Sequence, residues 1–205
     1  MLIKLYSENP NPKQLKVITE CLNDGGIIIY PTDTVYGFGC SINKPKALER
    51  IAQIKGYKTK EHNFTLICES MSQLSSYVKP IPNHLFRYIN KALPGPYTFI
   101  LEANNQVPKV LFRKKKYIGV RIPDNSITLA ILKDLGNPLL SSSVLHDDEF
   151  LEYRTDPDLI HQRYENLVDI VVDGGYGDIT PSTIIDCSNE EIEIIREGKG
   201  PIDFF

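Results

Sequence analysis

The sequence predicts a single-domain α/β fold, a mixed sheet with flanking helices. Two observations carry this reading. Short apolar, β-branched runs alternate with segments of helical periodicity for most of the 205 residues. Strand-like runs then cluster towards the C-terminal end, which a purely parallel, evenly alternating sheet would not show. No internal repeat, low-complexity tract or linker divides the chain, so residues 1–205 read as one domain.

The elements follow in order. Asn11-Pro12 opens the first helix, because Asn can cap free N–H groups and Pro fits a first turn. Leu15, Ile18 and Leu22 share one face of it, and Gly25-Gly26 closes it. Ile27 to Tyr30 is a continuous apolar run, the pattern of a strand covered on both faces. A helix is predicted over Pro45 to Lys55, with Leu48, Ile51 and Ile54 inward, then a strand over Phe64 to Cys68. A short helix near Met71 to Tyr77 precedes another at Asn83 to Ala92. Pro94-Gly95-Pro96 cannot continue a helix and hands over to a strand at Tyr97 to Glu102. Next come strand Ile118 to Ile122, helix Ser126 to Leu135 and strand Leu139 to Ser142. His146 to Tyr153 reads as a polar loop and Pro157 to Tyr164 as a helix. Strands Val168 to Val172, Thr183 to Asp186 and Ile192 to Arg196 close the series.

Composition narrows the function classes. A net charge of −3 offers no global attraction for nucleic acid, which leaves only a local patch to consider. The four cysteines are scattered, with no CxxC pair, so neither a zinc site nor a disulfide framework is predicted. The N-terminus lacks a basic segment followed by a long apolar stretch. No apolar run approaches the ~18 residues of a membrane span. A cytoplasmic protein without membrane contact is expected.

Several segments can carry chemistry. Pro31-Thr32-Asp33-Thr34-Val35-Tyr36-Gly37-Phe38-Gly39 leaves the end of a buried strand, where open α/β sheets bind ligands. Its threonines can hydrogen-bond a ligand and its glycines would let backbone come close; the competing reading is a plain turn. Neither GxxxxGK[ST] nor GxGxxG occurs, so a bound nucleotide would depend on side-chain cations and hydroxyls. Lys55, Lys58 and Lys60 are point-charge phosphate ligands or a solvated turn. Arg121, inside the apolar Gly119-Val120-Arg121-Ile122-Pro123, needs a partner: a ligand carboxylate or phosphate, or an internal salt bridge. Ser141-Ser142-Ser143 ends a strand without a Gly-x-Ser-x-Gly elbow, so these hydroxyls read as ligand-binding or solvated groups, not nucleophiles. Ser182 opens one strand and Arg196 closes another. Lys109 and Arg113 to Lys116 form a cationic run, either a solvated loop or a phosphate-backbone patch. The four histidines show no metal-ligand spacing, and HExxH is absent.

Taken in order, PTDTVYGFG, LPGPYTFIL, GVRIP, PLLSSS, PSTIID and IIREG resemble the motifs of the YrdC/Sua5/YciO family over roughly Gly25 to Gly198. The resemblance implies a twisted open α/β fold with a large, concave, basic cleft. It implies L-threonylcarbamoyladenylate synthase chemistry, in which L-threonine, bicarbonate and ATP give threonylcarbamoyl-AMP and pyrophosphate for the t6A modification of tRNA. By the same resemblance Thr34, Arg121, Ser141 and Ser182 hold threonine. Asn63, Ser143 and Arg196 face ATP, with Lys55 near its phosphates, so Lys55 and Arg196 are the candidate catalytic cations. ATP acts as a substrate with Mg²⁺, no resident organic cofactor or protein-built metal site is implied, and double-stranded RNA or tRNA is the implied macromolecular partner.

Three positions depart from the synthase pattern. Lys-x-Arg reads Lys55-Gly56-Tyr57, Ser-x-Asn reads Ser143-Val144-Leu145, and a histidine expected to meet threonine is replaced by Cys68. The string HNFTLIC resembles the YciO branch, and the C-terminal extension domain of longer Sua5 members is absent from the sequence. The alternatives are a YciO-type paralogue with different adenylate chemistry and a non-catalytic RNA-binding module.

Overall fold

A computed structural model describes residues 1–56, 64–111, 117–144, 155–189 and 192–203. The strands are β1 (Leu2–Lys4), β2 (Ile28–Tyr30), β3 (Gly37–Ser41), β4 (Thr65–Ile67), β5 (Tyr97–Glu102), β6 (Tyr117–Arg121), β7 (Leu139–Ser143), β8 (Ile170–Asp173), β9 (Thr183–Asp186) and β10 (Glu193–Arg196). The helices are α1 (Pro12–Asn23), α2 (Pro45–Ile54), α3 (Met71–Ser75), α4 (Asn83–Ala92), α5 (Ser126–Leu135) and α6 (Pro157–Tyr164). A 3-10 turn occupies Lys109–Leu111. None of the helices among the described residues is long and apolar enough to cross a membrane.

Ten strands form one sheet in the order β1-β8-β2-β3-β7-β4-β6-β5-β9-β10. It is mixed, as the sequence predicts. β8 runs parallel to β1 and β2, β4 to β6, and β5 to β9, while β2/β3, β3/β7, β4/β7, β5/β6 and β9/β10 are antiparallel.

Local chemistry explains the element ends. The Asn11 side chain accepts the Lys13 N–H with Pro12 in the first turn, and Gly25, at φ +90°, takes the chain away from α1 in a left-handed conformation. Asn125 caps α5 through the Thr128 N–H, and left-handed Gly136 ends it.

Two cores lie on opposite faces of the sheet. Ile27 to Tyr30 are all fully buried, and their side chains alternate between the cores. Ile27 and Ile29 join Phe38, Leu48, Ile51, Phe99 and Val120 on one face. Ile28 and Tyr30 join Ile18, Leu22, Ile131, Leu132 and Leu139, contributed by α1, α5 and β7, on the other.

Two strands differ from the sequence reading. β1 is three residues long and earns its place by pairing with β8 more than 160 positions away, a contact that local propensity does not report. β3 occupies the second half of the stretch read as a turn, Gly37 to Ser41, and pairs with both β2 and β7. Its glycines serve packing: a Cβ at Gly39 would stand 2.7 Å from Tyr30 Cε1, and one at Gly37 would stand 3.0 Å from Ser141 Oγ. Gly39 therefore makes room for the Tyr30 ring, and Gly37 for the Ser141 hydroxyl.

Candidate active site

The face carrying α1 and α5 is helix-covered near β2 and β7, and open further along. There the strands turn the small polar side chains of Thr65 from β4, Thr98 from β5 and Ser141 from β7 outwards, beside Ile184 from β9. Arg121 from the end of β6 and Arg196 from the end of β10 join them. The result is a cleft of about 170 Å³ whose wall includes Thr34, Arg121, Ser141, Ser143, Ser182 and Arg196. Six candidate residues from five distant segments therefore meet in one place. Among the described wall residues, Arg121 and Arg196 are the only ones carrying a formal charge. A second hollow of about 260 Å³ adjoins it, shares Thr65, Thr98 and Ile184, and is mostly apolar, with Phe64, Leu111 and Tyr117 on its rim.

Arg121 is 6% exposed. One terminal nitrogen donates to Thr34 Oγ1 at 2.9 Å and the other meets Asp33 Oδ1 at 2.5 Å. The internal salt bridge offered by the sequence reading thus exists, and it coexists with a place on the cleft wall. The pair is single-pointed: Arg121 Nε and Asp33 Oδ2 are both buried without a hydrogen-bond partner.

Thr34 is fully buried, and its hydroxyl also lies 3.1 Å from Thr32 Oγ1. Ser141 Oγ donates to the Phe38 carbonyl at 2.9 Å and accepts from the Tyr30 hydroxyl at 2.7 Å. Ser182 Oγ is 2.9 Å from Thr98 Oγ1. Arg196 forks onto the Ser182 carbonyl through Nε (3.1 Å) and a terminal nitrogen (2.7 Å), with Ser182 Oγ 3.4 Å from the latter. Desolvation against this backbone, and then the like charge of Arg121, lower the Arg196 pKa from its ordinary value.

Lys55 is placed differently from the other candidates. It is 5% exposed, lies outside the cleft wall, and donates from Nζ to the Ser143 carbonyl at 2.8 Å. Ser143 itself is exposed at the cleft mouth. Cys68 is fully buried in the core beneath the sheet and does not line the cleft, because alternation along β4 turns Thr65 and Ile67 towards the cleft and Leu66 and Cys68 away. The thiol is correspondingly pushed far up by burial. The expectation that Cys68 stands at a threonine-facing position is corrected on this point. Asn63, Tyr57, Lys58, Lys60, Leu145, His62, His146 and Arg113 to Lys116 lie outside the described residues.

Sequence reasoning missed Tyr30, Thr98 and Asp33. Tyr30 ends an apolar run and reads as core; its hydroxyl acquires meaning only through Ser141, 111 positions away. Thr98 was hidden inside LPGPYTFIL, where period-2 alternation marks it as the polar member facing away from Tyr97 and Phe99.

With the geometry in place, similarity to known proteins decides the family. The Sua5/YciO/YrdC family model, whose description reads "Telomere recombination", matches residues 20–198. The chain belongs to the Sua5/YciO/YrdC family. An uncharacterised protein of Haemophilus influenzae is 41% identical over 198 residues, covering 96% of this chain and 94% of that protein. Escherichia coli YciO, likewise uncharacterised, is 40% identical over 203 residues, covering 98% and 97%. Its crystal structure superimposes with a TM-score of 0.91 over 99% of this chain and 98% of its own. A threonylcarbamoyl-AMP synthase of Nitrosococcus oceani is 32% identical over 130 residues, 63% of this chain and 70% of that enzyme. Pyrococcus abyssi Sua5 complexed with L-threonine, at 23% identity, shares the fold with a TM-score of 0.86 over 97% of this chain and 57% of its own.

Proposed function

We propose that the cleft binds a small α-amino acid, L-threonine in the first instance. We propose further that the chain catalyses adenylyl transfer of the threonylcarbamoyl-AMP synthase type. The observation that carries this reading is the convergence of Thr34, Arg121, Ser141, Ser182 and Arg196 on one cleft of about 170 Å³, a size suited to a ligand smaller than the usual 300–1,000 Å³ of organic-ligand sites. A relative named threonylcarbamoyl-AMP synthase and a fold neighbour complexed with L-threonine support the choice of ligand. The adjoining apolar hollow, lined by Phe64, Ile100, Leu111 and Tyr117, would suit a flat heteroaromatic ring such as the base of ATP.

The threonine nitrogen bonds to the carbon of bicarbonate with loss of water, giving the N-carboxylate. A carboxylate oxygen then bonds to the α-phosphorus of ATP while the bond from that phosphorus to the bridging oxygen breaks, and pyrophosphate leaves. The two guanidinium groups offset negative charge on the amino acid and on the transferring phosphoryl group. The cleft walls limit water around the carbamate. Mg²⁺ is the ordinary counter-ion of ATP phosphates. The described residues contain no group of three carboxylate, histidine or cysteine side chains able to hold a metal, so they do not fit a protein-built cage and no step is assigned to the ion.

The test is pyrophosphate release by the purified chain given ATP, bicarbonate and L-threonine. Release that depends on threonine supports the reading. Release no greater than the blank, together with threonine–ATP synergy in calorimetric titration, would move the chain to a paralogue with different adenylate chemistry. Absence of both release and binding would overturn the amino-acid reading itself.

A further inference from the structure

The ladder between β9 and β10, the last two strands of the sheet, slips once. Glu193 stands opposite Asp186 and Ile194 opposite Ile185, but Arg196 stands opposite Ile184. Two residues of β10, Ile195 and Arg196, therefore face one of β9, which makes Ile195 the extra residue of a β-bulge. The shift persists along the chain. Beyond Arg196 the Lys199 N–H donates to the Pro181 carbonyl at 2.8 Å, and the Gly198 N–H donates to Thr183 Oγ1 at 3.0 Å.

The slip changes which face each side chain takes. Residues opposite one another on antiparallel strands share a face, and neighbours along a strand alternate. Ile185 is fully buried in the core on one face, and Ile184 lines the cleft on the other. In an unbroken ladder Ile195 would stand opposite Ile184, and Arg196 opposite Thr183, whose side chain leaves on the face away from the cleft. With the extra residue, Arg196 takes the place opposite Ile184 and lines the cleft. Ile195 lines the adjoining apolar hollow beside the same Ile184. Two consecutive side chains thus reach one face of the sheet.

We infer that Ile195 is a positioning residue: as the extra residue of the bulge it turns Arg196 into the cleft, and its own side chain closes the hollow next to it. One dipeptide then supplies an apolar and a cationic contact to a ligand that joins a flat ring to an anionic group, the chemistry of a nucleoside phosphate. A regular strand sends consecutive side chains to opposite faces and has no such option. The fork of Arg196 onto the Ser182 carbonyl, at 3.1 and 2.7 Å, holds the guanidinium where the bulge has aimed it.

This role rests on the ATP reading above, and a change of arginine position separates the two. Calorimetric titration of the full chain with ATP compares the wild type, Arg196→Ile, the swap Ile195→Arg with Arg196→Ile, and Ile194→Arg with Arg196→Ile. Arg196→Ile should weaken ATP binding about tenfold, the loss of one charge-assisted contact. The swap should return affinity to within about threefold of wild type, because positions 195 and 196 share the cleft face. An arginine at 194 should recover nothing, because Ile194 stands opposite Ile185 on the other face. Both double variants keep the wild-type composition and alter only exposed positions of an edge strand, so a general effect of charge or stability would treat them alike. Ile195→Lys with Arg196→Ala, set against Ile194→Lys with Arg196→Ala, serves if an arginine variant fails to fold. Equal recovery at 195 and 194, or recovery at neither, overturns the positioning role and leaves the ATP site standing. A wild type that binds no ATP, or an Arg196→Ile variant that binds it as tightly as wild type, overturns both.

Discussion

The Asp33 carboxylate meets the Arg121 guanidinium at 2.5 Å, with side chains 11% and 8% exposed, so the cleft's innermost cation is held by a carboxylate from the loop that follows β2. Removing one partner of a buried pair strands the other charge, whereas replacing both removes the problem. Asp33→Leu and Arg121→Met should therefore each lower unfolding stability by about 3–5 kcal/mol. The double variant Asp33→Leu with Arg121→Met should recover most of that loss while abolishing amino-acid binding. Urea unfolding of the four members of the cycle checks this. Additive losses would show that the two groups are not coupled.

Lys55 tests whether a buried cation is structural, functional or both. Its ammonium donates to the Ser143 carbonyl and fastens the end of α2 to the end of β7. Lys55→Met keeps the stem and deletes the charge, and should cost about 1–3 kcal/mol of stability. Threonine-dependent pyrophosphate release at a temperature where the variant is folded should fall at least tenfold if the lysine also serves the phosphates. Loss of stability with unchanged release would assign it to structure alone.

Gly198 lies where a Cβ would overlap the Pro181 carbonyl and the Ser182 backbone, and its N–H donates to Thr183 Oγ1 at 3.0 Å. Gly198→Ala must push the β10 end away from Ser182 and loosen the Arg196 fork. Overpacking of this kind costs about 1–3 kcal/mol. Threonine affinity should drop together with melting temperature. A variant with unaltered affinity would show that Ser182 is not positioned by this contact.

Stability should fall in alkali. Burial pushes the Cys40 thiol from 9.0 up to about 12 and the Tyr30 phenol from 10.0 up to about 12. The folded state keeps both protonated while the unfolded chain ionises first. Their contribution is thus intact below about pH 9 and is lost as pH rises towards 12, at about 1.4 kcal/mol per pH unit for each group. Burial also raises the Cys21, Cys68 and Cys187 thiols, so Cys40→Ala should make the decline between pH 9 and 10 shallower by one group's share, measured by urea midpoints. A midpoint independent of pH up to 11 would contradict it.

The family motifs were legible because each is a short string tied to one local structure. PTDT leaves a strand, SSS ends one, and Arg196 closes another. Helices α4, α5 and α6 have the bounds the periodicity predicts, the last two with side-chain caps from Asn125 and Asp156, as do β5 and β9. What was not legible has one cause. GFG looks like a turn until the Tyr30 ring is placed against it, and Leu2–Lys4 looks irregular until β8 lies beside it. Cys68 looks like a site position in a linear motif until the pleat of β4 turns it into the core.

The sequence by itself determined the α/β class, the order of most elements and six of the residues on the cleft wall, Thr34, Arg121, Ser141, Ser143, Ser182 and Arg196. These depend on periodicity, capping and short motifs, which act over a few residues. The tertiary structure decided what each polar group is bonded to. Arg121 is already held by Asp33, Lys55 by the Ser143 carbonyl, and the Ser141 proton by the Phe38 carbonyl. These partners lie 88 to 103 positions apart in the chain. Hydrogen-bond direction depends on which atoms meet within about 3 Å, and only the register of a ten-stranded sheet fixes that.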